Sequence, residues 1–185
     1  MTTIIETERL ILRPLRESDL EQLVLVLNNI NITRNTARIP FPYTRADAEA
    51  FLEIMQHVEP GSLRRMITRK DRGDIVCGDI GYEADTTNSG ADLGFWLAEA
   101  DWRQGYGTEA ARTMTDHAFE VAQHRAVFAG YRIGNEASRR ILERLGFRAT
   151  VEVMTFSKGA GTEVPVIRME LTRAAWLKTM SRRVS

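Results

Sequence analysis

Two glycines one residue apart, Gly105 and Gly107, stand in the run Trp102-Arg103-Gln104-Gly105-Tyr106-Gly107-Thr108-Glu109-Ala110. The segment before them, Leu93-Gly94-Phe95-Trp96-Leu97, has the make-up of a strand, and the segment after them opens a helix. Glycines let consecutive backbone N–H groups turn toward one point. A helix N-terminus adds unpaired donors and partial positive charge, so this arrangement can cradle a phosphate. An isolated G-x-G is usually only a tight turn; its place between strand and helix raises it above that. The nucleotide-binding pattern G-x-x-x-x-G-K-[ST] is absent, because nothing after Gly107 supplies the lysine. The dinucleotide pattern G-x-G-x-x-A is met by Gly105, Gly107 and Ala110, but it calls for a carboxylate near the end of the next strand. That strand ends Gly130-Tyr131-Arg132-Ile133, with no carboxylate before Glu136.

Other chemistries find little support. His57, His117 and His124 lack metal-ligand spacing, and no H-E-x-x-H occurs, so no metal is expected. His117 and His124 are expected to face solvent. There is no G-x-S-x-G elbow. Cys77 lies in an apolar strand and reads as core, and Met154 and Met169 read as strand packing. One cysteine excludes a disulfide framework and points to a reducing compartment. The 185 residues carry 25 Lys and Arg against 25 Asp and Glu, which argues against a dedicated nucleic-acid binder. With 43% apolar residues, no membrane-length apolar run and no signal-peptide build at the N-terminus, a cytoplasmic monomer or homodimer is expected.

The elements that would position the loop follow from hydrophobic periodicity. Thr7 to Arg13 reads as a strand ended by Pro14. Ser18 and Glu21 fit a capping box for a helix to about Asn28, with Leu20, Leu23, Val24 and Leu27 at helical spacing. The punctuated stretch Asn28 to Tyr43 is mostly loop or a short helix, and Thr44 caps a second helix carrying Ala48, Phe51, Leu52 and Met55. Leu63 to Lys70, Ile75 to Tyr82 and Ala91 to Ala98 form a meander, turning at Asp71-Arg72-Gly73-Asp74 and at Asn88-Ser89-Gly90. A helix follows the glycine loop with Ala111, Met114, Ala118 and Val121 inward. Ala126 to Ile133 is a strand, Asn135 to Leu145 a helix stopped by Gly146, and Ala149 to Lys158 with Glu163 to Leu171 a last hairpin before a helical tail. No linker divides residues 1–185, so one mixed α/β domain is expected.

The strand, the W-R-Q-G-Y-G-T-E-A loop and the later N-E-A-S-R-R-I-L-E-R-L-G-F resemble motifs A and B of the GNAT superfamily of acyl-CoA-dependent N-acetyltransferases. The opening T-E-R-L-I-L-R-P-L and the I-P-F-P-Y-T segment are similar to the branch that includes ribosomal-protein-alanine N-acetyltransferases. The resemblance covers nearly the whole chain. It implies a GNAT fold, a mixed, mostly antiparallel sheet splayed at the acyl-CoA site with helices on both faces. It implies acetyl-CoA as acyl donor and an amine as acceptor, with a protein N-terminus as one candidate. The superfamily loop is written Q/R-x-x-G-x-G/A; Trp102 holds its first position. By resemblance, the amides of Gln104, Gly105, Tyr106, Gly107 and Thr108 bind the pyrophosphate and Arg103 adds charge. Phe95, Trp96 and Leu97 pair by backbone with the pantetheine arm, and mid-strand Gly94 is consistent with a bulge or a close backbone approach. Asn135 contacts the arm and Arg139 belongs to the same cofactor set. The tyrosine that often acts as general acid is replaced by Leu142, and Ser138 of N-x-x-S takes the donor role. Asp92 stands where many of these enzymes place a Glu base. Arg34, Arg38, Phe41 and Tyr43 fall in the loop that often borders the acceptor. A polyamine, amino acid or aminoglycoside acceptor, or a non-catalytic acyl-CoA-binding protein, remain the rival expectations.

Acyl transfer to an amine requires a neutral amine, a donor for the developing oxyanion and a proton for the thiolate. The N–H near Leu97 serves the oxyanion in this scheme. An α-amino group, with a pKa near 8, is the easier acceptor than a lysine near 10.4. The zero net charge divides unevenly: residues 1–101 hold 11 basic and 17 acidic side chains, and residues 102–185 hold 14 and 8. A basic half suits an anionic cofactor, and an acidic half a cationic amine.

Overall fold

A computed structural model describes residues 3–85 and 90–181. A short β1 (Ile5–Glu6) and β2 (Leu10–Arg13) lead through a 3-10 turn, Glu17–Asp19, into α1 (Leu20–Leu27), α2 (Ile30–Thr33) and α3 (Arg45–Gln56). The meander is β3 (Leu63–Arg69), β4 (Val76–Asp85) and β5 (Gly90–Leu97). Then come α4 (Tyr106–Glu120), β6 (Ala126–Arg132), α5 (Glu136–Leu145), β7 (Arg148–Ser157), β8 (Thr162–Thr172) and α6 (Arg173–Ser181). Asn88 and Ser89, expected in the turn before β5, lie outside the described residues.

All eight strands form one sheet in the order β1-β2-β3-β4-β5-β6-β8-β7, antiparallel except where β5 meets β6. Side chains alternate across it, so each face has its own core. One face carries Leu12, Ile80, Tyr82, Leu93 and Val127 against Ala111, Met114 and Phe119 of α4, Leu142 of α5 and Trp176 of α6. The other carries Met66, Val76 and Trp96 against Leu20, Leu23 and Leu27 of α1 and Ala48 of α3. Helices thus cover both faces, as the mixed α/β expectation required.

Local capping departs from the sequence at one point. Asp19, not Ser18, organises the entry to α1. Its Oδ2 accepts from the Arg16 amide at 2.8 Å, while both its oxygens receive the buried Arg13 guanidinium. A charge-assisted bidentate pair outcompetes a neutral serine hydroxyl for the same turn. Thr44 caps α3 as expected, in a reciprocal box with Asp47. Val121 lies just beyond α4 and is exposed, and Met154 is exposed on β7, the end strand of the sheet. Neither histidine on or near α4 faces solvent. His124 is buried with Nε2 2.8 Å from the Gly61 carbonyl, and His117 Nδ1 is 2.9 Å from the Tyr82 hydroxyl. Burial lowers the His117 pKa. Cys77 is core, its thiol bonded to the Ile67 carbonyl and pushed up to about 12 by burial.

Candidate functional site

The sheet opens between β5 and β6. Their parallel pairing runs only from Gly90–Ala126 to Leu93–Ala129, whereas β6 stays with β8 as far as Arg132. Beyond Leu93 the far edge of β5 has no strand partner. Ala98 N donates to Cys77 O at 2.8 Å, so alternation turns the Gly94 and Trp96 backbone toward β4 and that of Phe95 and Leu97 toward the gap. Trp96, grouped with its two neighbours on sequence, therefore stands apart: its backbone serves the sheet and its side chain is buried beside α1 and α3. The Leu97 carbonyl accepts from the Trp102 indole at 2.8 Å. Free at the gap are the Phe95 and Leu97 N–H groups and the Phe95 carbonyl. Gly94 is not a bulge, and among the described residues no other backbone approaches it closely. The β4–β5 register runs through it unshifted, and a Cβ there would meet only Arg64 Nη2, at 3.9 Å.

At the end of this edge the chain turns into α4. Arg103 and Gly105 both take left-handed backbone, with φ of 62° and 84°. No side chain caps the helix, and its first backbone bond is Glu109 N to Gly105 O at 3.0 Å. The amides of Tyr106, Gly107 and Thr108 are thus without an intrahelical partner and converge on the helix axis, a geometry that suits a pyrophosphate. Gly107 is needed for packing, since a Cβ would lie 2.9 Å from Ile141 Cδ1 and 3.3 Å from Leu97 Cδ1. The Tyr106 ring is buried, with the Arg9 and Arg69 guanidinium carbons 4.7 and 5.0 Å from its centroid. The Gln104 side chain donates to Ala100 O at 3.2 Å, and the Gln104 carbonyl accepts from Arg9 Nη1 at 2.9 Å. Arg103 is exposed.

Glu109 carries no sequence signal of its own, although both motifs that it joins do. Its carboxylate accepts from Thr7 Oγ1 at 2.5 Å, Arg9 N at 2.8 Å and Arg9 Nε at 2.7 Å, fastening T-E-R-L to G-T-E-A. Burial opposes its charge, but these hydrogen bonds win and hold its pKa below the ordinary value.

On α5, Asn135 is the N-cap, and its side chain accepts from Ser138 N at 3.2 Å. Ser138 is half-buried, one turn before Ile141, which meets the start of α4. Arg139 is held on its own helix by Glu136 and Glu143, at 2.6 and 2.9 Å.

On the α1–α3 face, over the paired stretch just before the opening, lies a cavity of about 430 Å³ lined by Arg38, Glu83, Asp85, Asp92, Phe128 and Arg168. Glu83 and Asp92 are cross-strand partners, a repulsive placement relieved by arginines. Arg38 grips Glu83, holding its pKa low, and Arg168 Nη2 lies 3.0 Å from Asp92 Oδ2. Deeper in, Arg64 pairs with Asp79, which is fully buried and has one oxygen unpartnered; burial pushes that carboxyl up. The α2–α3 loop spans the opening. Thr36 O accepts from Ser157 Oγ at 2.7 Å, Ala37 O from Lys158 N at 2.9 Å and Arg34 O from Arg132 Nη1 at 3.0 Å. Of the loop residues noted on sequence, Arg38 lines the cavity. Arg34 contributes its carbonyl, Tyr43 is core, and Phe41 is exposed beside Leu25 and Ile30.

Comparison with known proteins decides the family. Residues 9–148 match the acetyltransferase (GNAT) domain. The chain belongs to the GNAT acetyltransferase family. It is therefore an acyl-CoA-dependent N-acetyltransferase whose acyl donor is acetyl-CoA. The GNAT chain is 28% identical over 154 residues to the uncharacterized N-acetyltransferase YoaA of Bacillus subtilis, covering 80% of this chain and 84% of that one. It shares its fold with the spermidine N-acetyltransferase from Vibrio cholerae in complex with CoA and spermine. The TM-score is 0.76 at 18% identity, over 92% of this chain and 99% of that one. Mycobacterium smegmatis RimJ, in complex with CoA-disulfide, superposes with a TM-score of 0.75 at 19% identity, over 89% and 82%. Among the described residues no group of His, Cys, Asp or Glu is arranged to hold a metal ion, and no helix is long and apolar enough to cross a membrane.

Proposed function

We propose that this GNAT enzyme acetylates an α-amino group, as at a protein N-terminus, by direct attack of the bound amine on acetyl-CoA. The parting of β5 from β6 beside the uncapped start of α4 carries the proposal. It offers an unpaired strand edge leading to a cluster of unpaired amides. Acetyl-CoA supplies the activated thioester. The Gln104 to Thr108 backbone holds its pyrophosphate, with exposed Arg103 adding charge. The Phe95 and Leu97 backbone pairs with the pantetheine arm, and the Leu97 N–H is the donor for the oxyanion. Asn135 and Arg139, at the start of α5, border the arm. Asp92 accepts the amine's proton, directly or through water. Attack forms the amide C–N bond and breaks the C–S bond, and the Ser138 hydroxyl delivers the proton that the leaving thiolate takes.

The test is thiol release from acetyl-CoA across an amine panel that includes N-terminal peptides, polyamines and aminoglycosides. Release with α-amino acceptors above the others supports the proposal. A melting-temperature rise with acetyl-CoA but no release with any amine would leave a binding protein and refute it.

A further inference from the structure

Gly81, Gly94 and Gly130 occupy three neighbouring strands at the level where the sheet parts. Gly81 is in register with Gly94, and Gly94 and Gly130 each follow the last β5–β6 pair, Leu93–Ala129. These three positions add no side chain of their own to the floor, although neighbours already cover two of them: Arg64 Cβ lies 2.7 Å from where a Gly81 Cβ would sit, and Val166 Cγ1 lies 3.0 Å from where a Gly130 Cβ would sit. Two guanidiniums lie over the floor from opposite sides. Arg64 of β3 brings Nη2 to 3.9 Å from where a Gly94 Cβ would sit. Arg168 of β8, in register with Gly130, brings Nη1 to 3.3 Å from where a Gly130 Cβ would sit. Each is anchored through its other nitrogen, Arg64 by Asp79 and Arg168 by Asp92, so both are fixed in direction. Their inner nitrogens are loosely used: Arg64 Nη2 reaches Glu83 only at 3.5 Å. Anchored guanidiniums with spare donors, reaching toward the open backbone at Gly94, fit a planar anion.

We propose that the acceptor carries its own carboxylate a few bonds from the reacting amine. Arg168 and Arg64 hold that carboxylate over Gly94 and Gly130, and the amine turns toward Asp92. This rests on the assignment of acetyl transfer to an amine and names the class of amine. A free α-amino acid and an acidic first residue of a peptide share this chemistry. A polyamine lacks it: it could approach the carboxylates Glu83, Asp85 and Asp92, but it has nothing to offer the guanidiniums of Arg38, Arg64 and Arg168.

The experiment uses the full chain and thiol release. L-glutamate and other free amino acids are compared with their carboxamides, peptides beginning Asp or Glu with those beginning Asn or Gln, and both sets with spermidine. Carboxylate-bearing amines should show kcat/KM about tenfold or more above their carboxamides, the scale of one charged hydrogen bond. The responding arm, amino acids or peptides, identifies the source. Arg168→Gln should shrink that ratio below about threefold through KM, the energy of the lost pair. Equal efficiencies, or a preference for spermidine, overturn the proposal. If no amine releases thiol, acetyl transfer itself fails, and the melting temperature with CoA present still decides the carboxylate. Carboxylate-bearing amines should raise it and their carboxamides should not; equal shifts overturn the assignment.

Discussion

Replacing Glu109 tests whether the start of the chain holds the phosphate loop in place. In Glu109→Ala, Thr7 Oγ1, Arg9 N and Arg9 Nε all lose their acceptor. The Glu109 side chain is only 16% exposed, but the Arg9 amide and side chain are exposed and regain water, and Thr7 Oγ1 keeps the Leu10 carbonyl within reach at 3.3 Å. The lost hydrogen bonds are therefore largely exchanged for others, and the exposed ion pair adds little, giving about 1–2 kcal/mol in all. For a chain of this size that is a fall in melting temperature of about 2–8 °C. Glu109→Gln keeps one acceptor but turns an NH2 group toward a donor, so about half that loss is expected. The sign with pH follows from the lowered pKa. The carboxylate's contribution is present above the ordinary Glu value and is lost as pH falls through the folded one. The wild-type advantage over Gln should therefore vanish in acid. Arg9 also holds the Gln104 carbonyl, so acetyl-CoA affinity should fall about three- to tenfold, the effect of loosening one positioned loop by about 1 kcal/mol. Melting curves from about pH 3 to 8 and titration calorimetry measure both. An Ala variant melting within about 1 °C of wild type, or binding acetyl-CoA equally well, refutes the reasoning.

The loop itself makes sharper demands. Gly105→Val must bear a left-handed φ of 84°, and Gly107→Val must displace Ile141 and Leu97; either should abolish acetyl-CoA binding, and retained affinity removes the loop from its role. Ser138→Ala and Asp92→Asn should each lower kcat about tenfold or more with acetyl-CoA affinity unchanged, as expected for groups handling protons. An undiminished rate excludes the residue concerned. Burial raises the Asp79 pKa, so its share of stability is full in acid and lost as pH rises through the folded value. Asp79→Asn should accordingly gain on wild type between about pH 4 and 8, and a constant difference in melting temperature contradicts this.

What the sequence makes legible is local. The α5 end at Gly146, the Thr44 cap and the β7–β8 hairpin are each written within a few residues. What it hides depends on distant partners. That β5 and β6 separate after Leu93, while β6 continues along residues 166–172 of β8, involves partners that no window around Gly94 contains. The clamp at Glu109 links residues about a hundred apart, and its signal was the co-occurrence of two motifs rather than either one. Trp96 looked like its neighbours because an unpaired strand edge exposes every second residue, and the phase of that alternation is set by β4. The burial of His117 and His124 is hidden from the sequence for a similar reason: their partners, Tyr82 and Gly61, come from other elements.

The charge asymmetry between the two halves of the chain takes a different meaning once the pairs are known. It suggested an acidic acceptor side and a basic cofactor side. Instead the halves exchange groups where they meet. Arg9, from the acidic half, stands at the phosphate loop, and Arg168, from the basic half, stands in the cavity beside Asp92. Glu83 and Asp79 are each answered by an arginine of their own half. Ion pairs at contact distance outweigh net fields that salt screens beyond about 8–10 Å. The cavity, lined by Glu83, Asp85 and Asp92, is therefore not an open negative basin, because Arg38 and Arg168 hold Glu83 and Asp92. It is a set of fixed charges, already paired, that a ligand enters by exchanging partners with them. An amine with its own carboxylate can replace both members of such a pair, whereas a bare cation leaves an arginine unanswered.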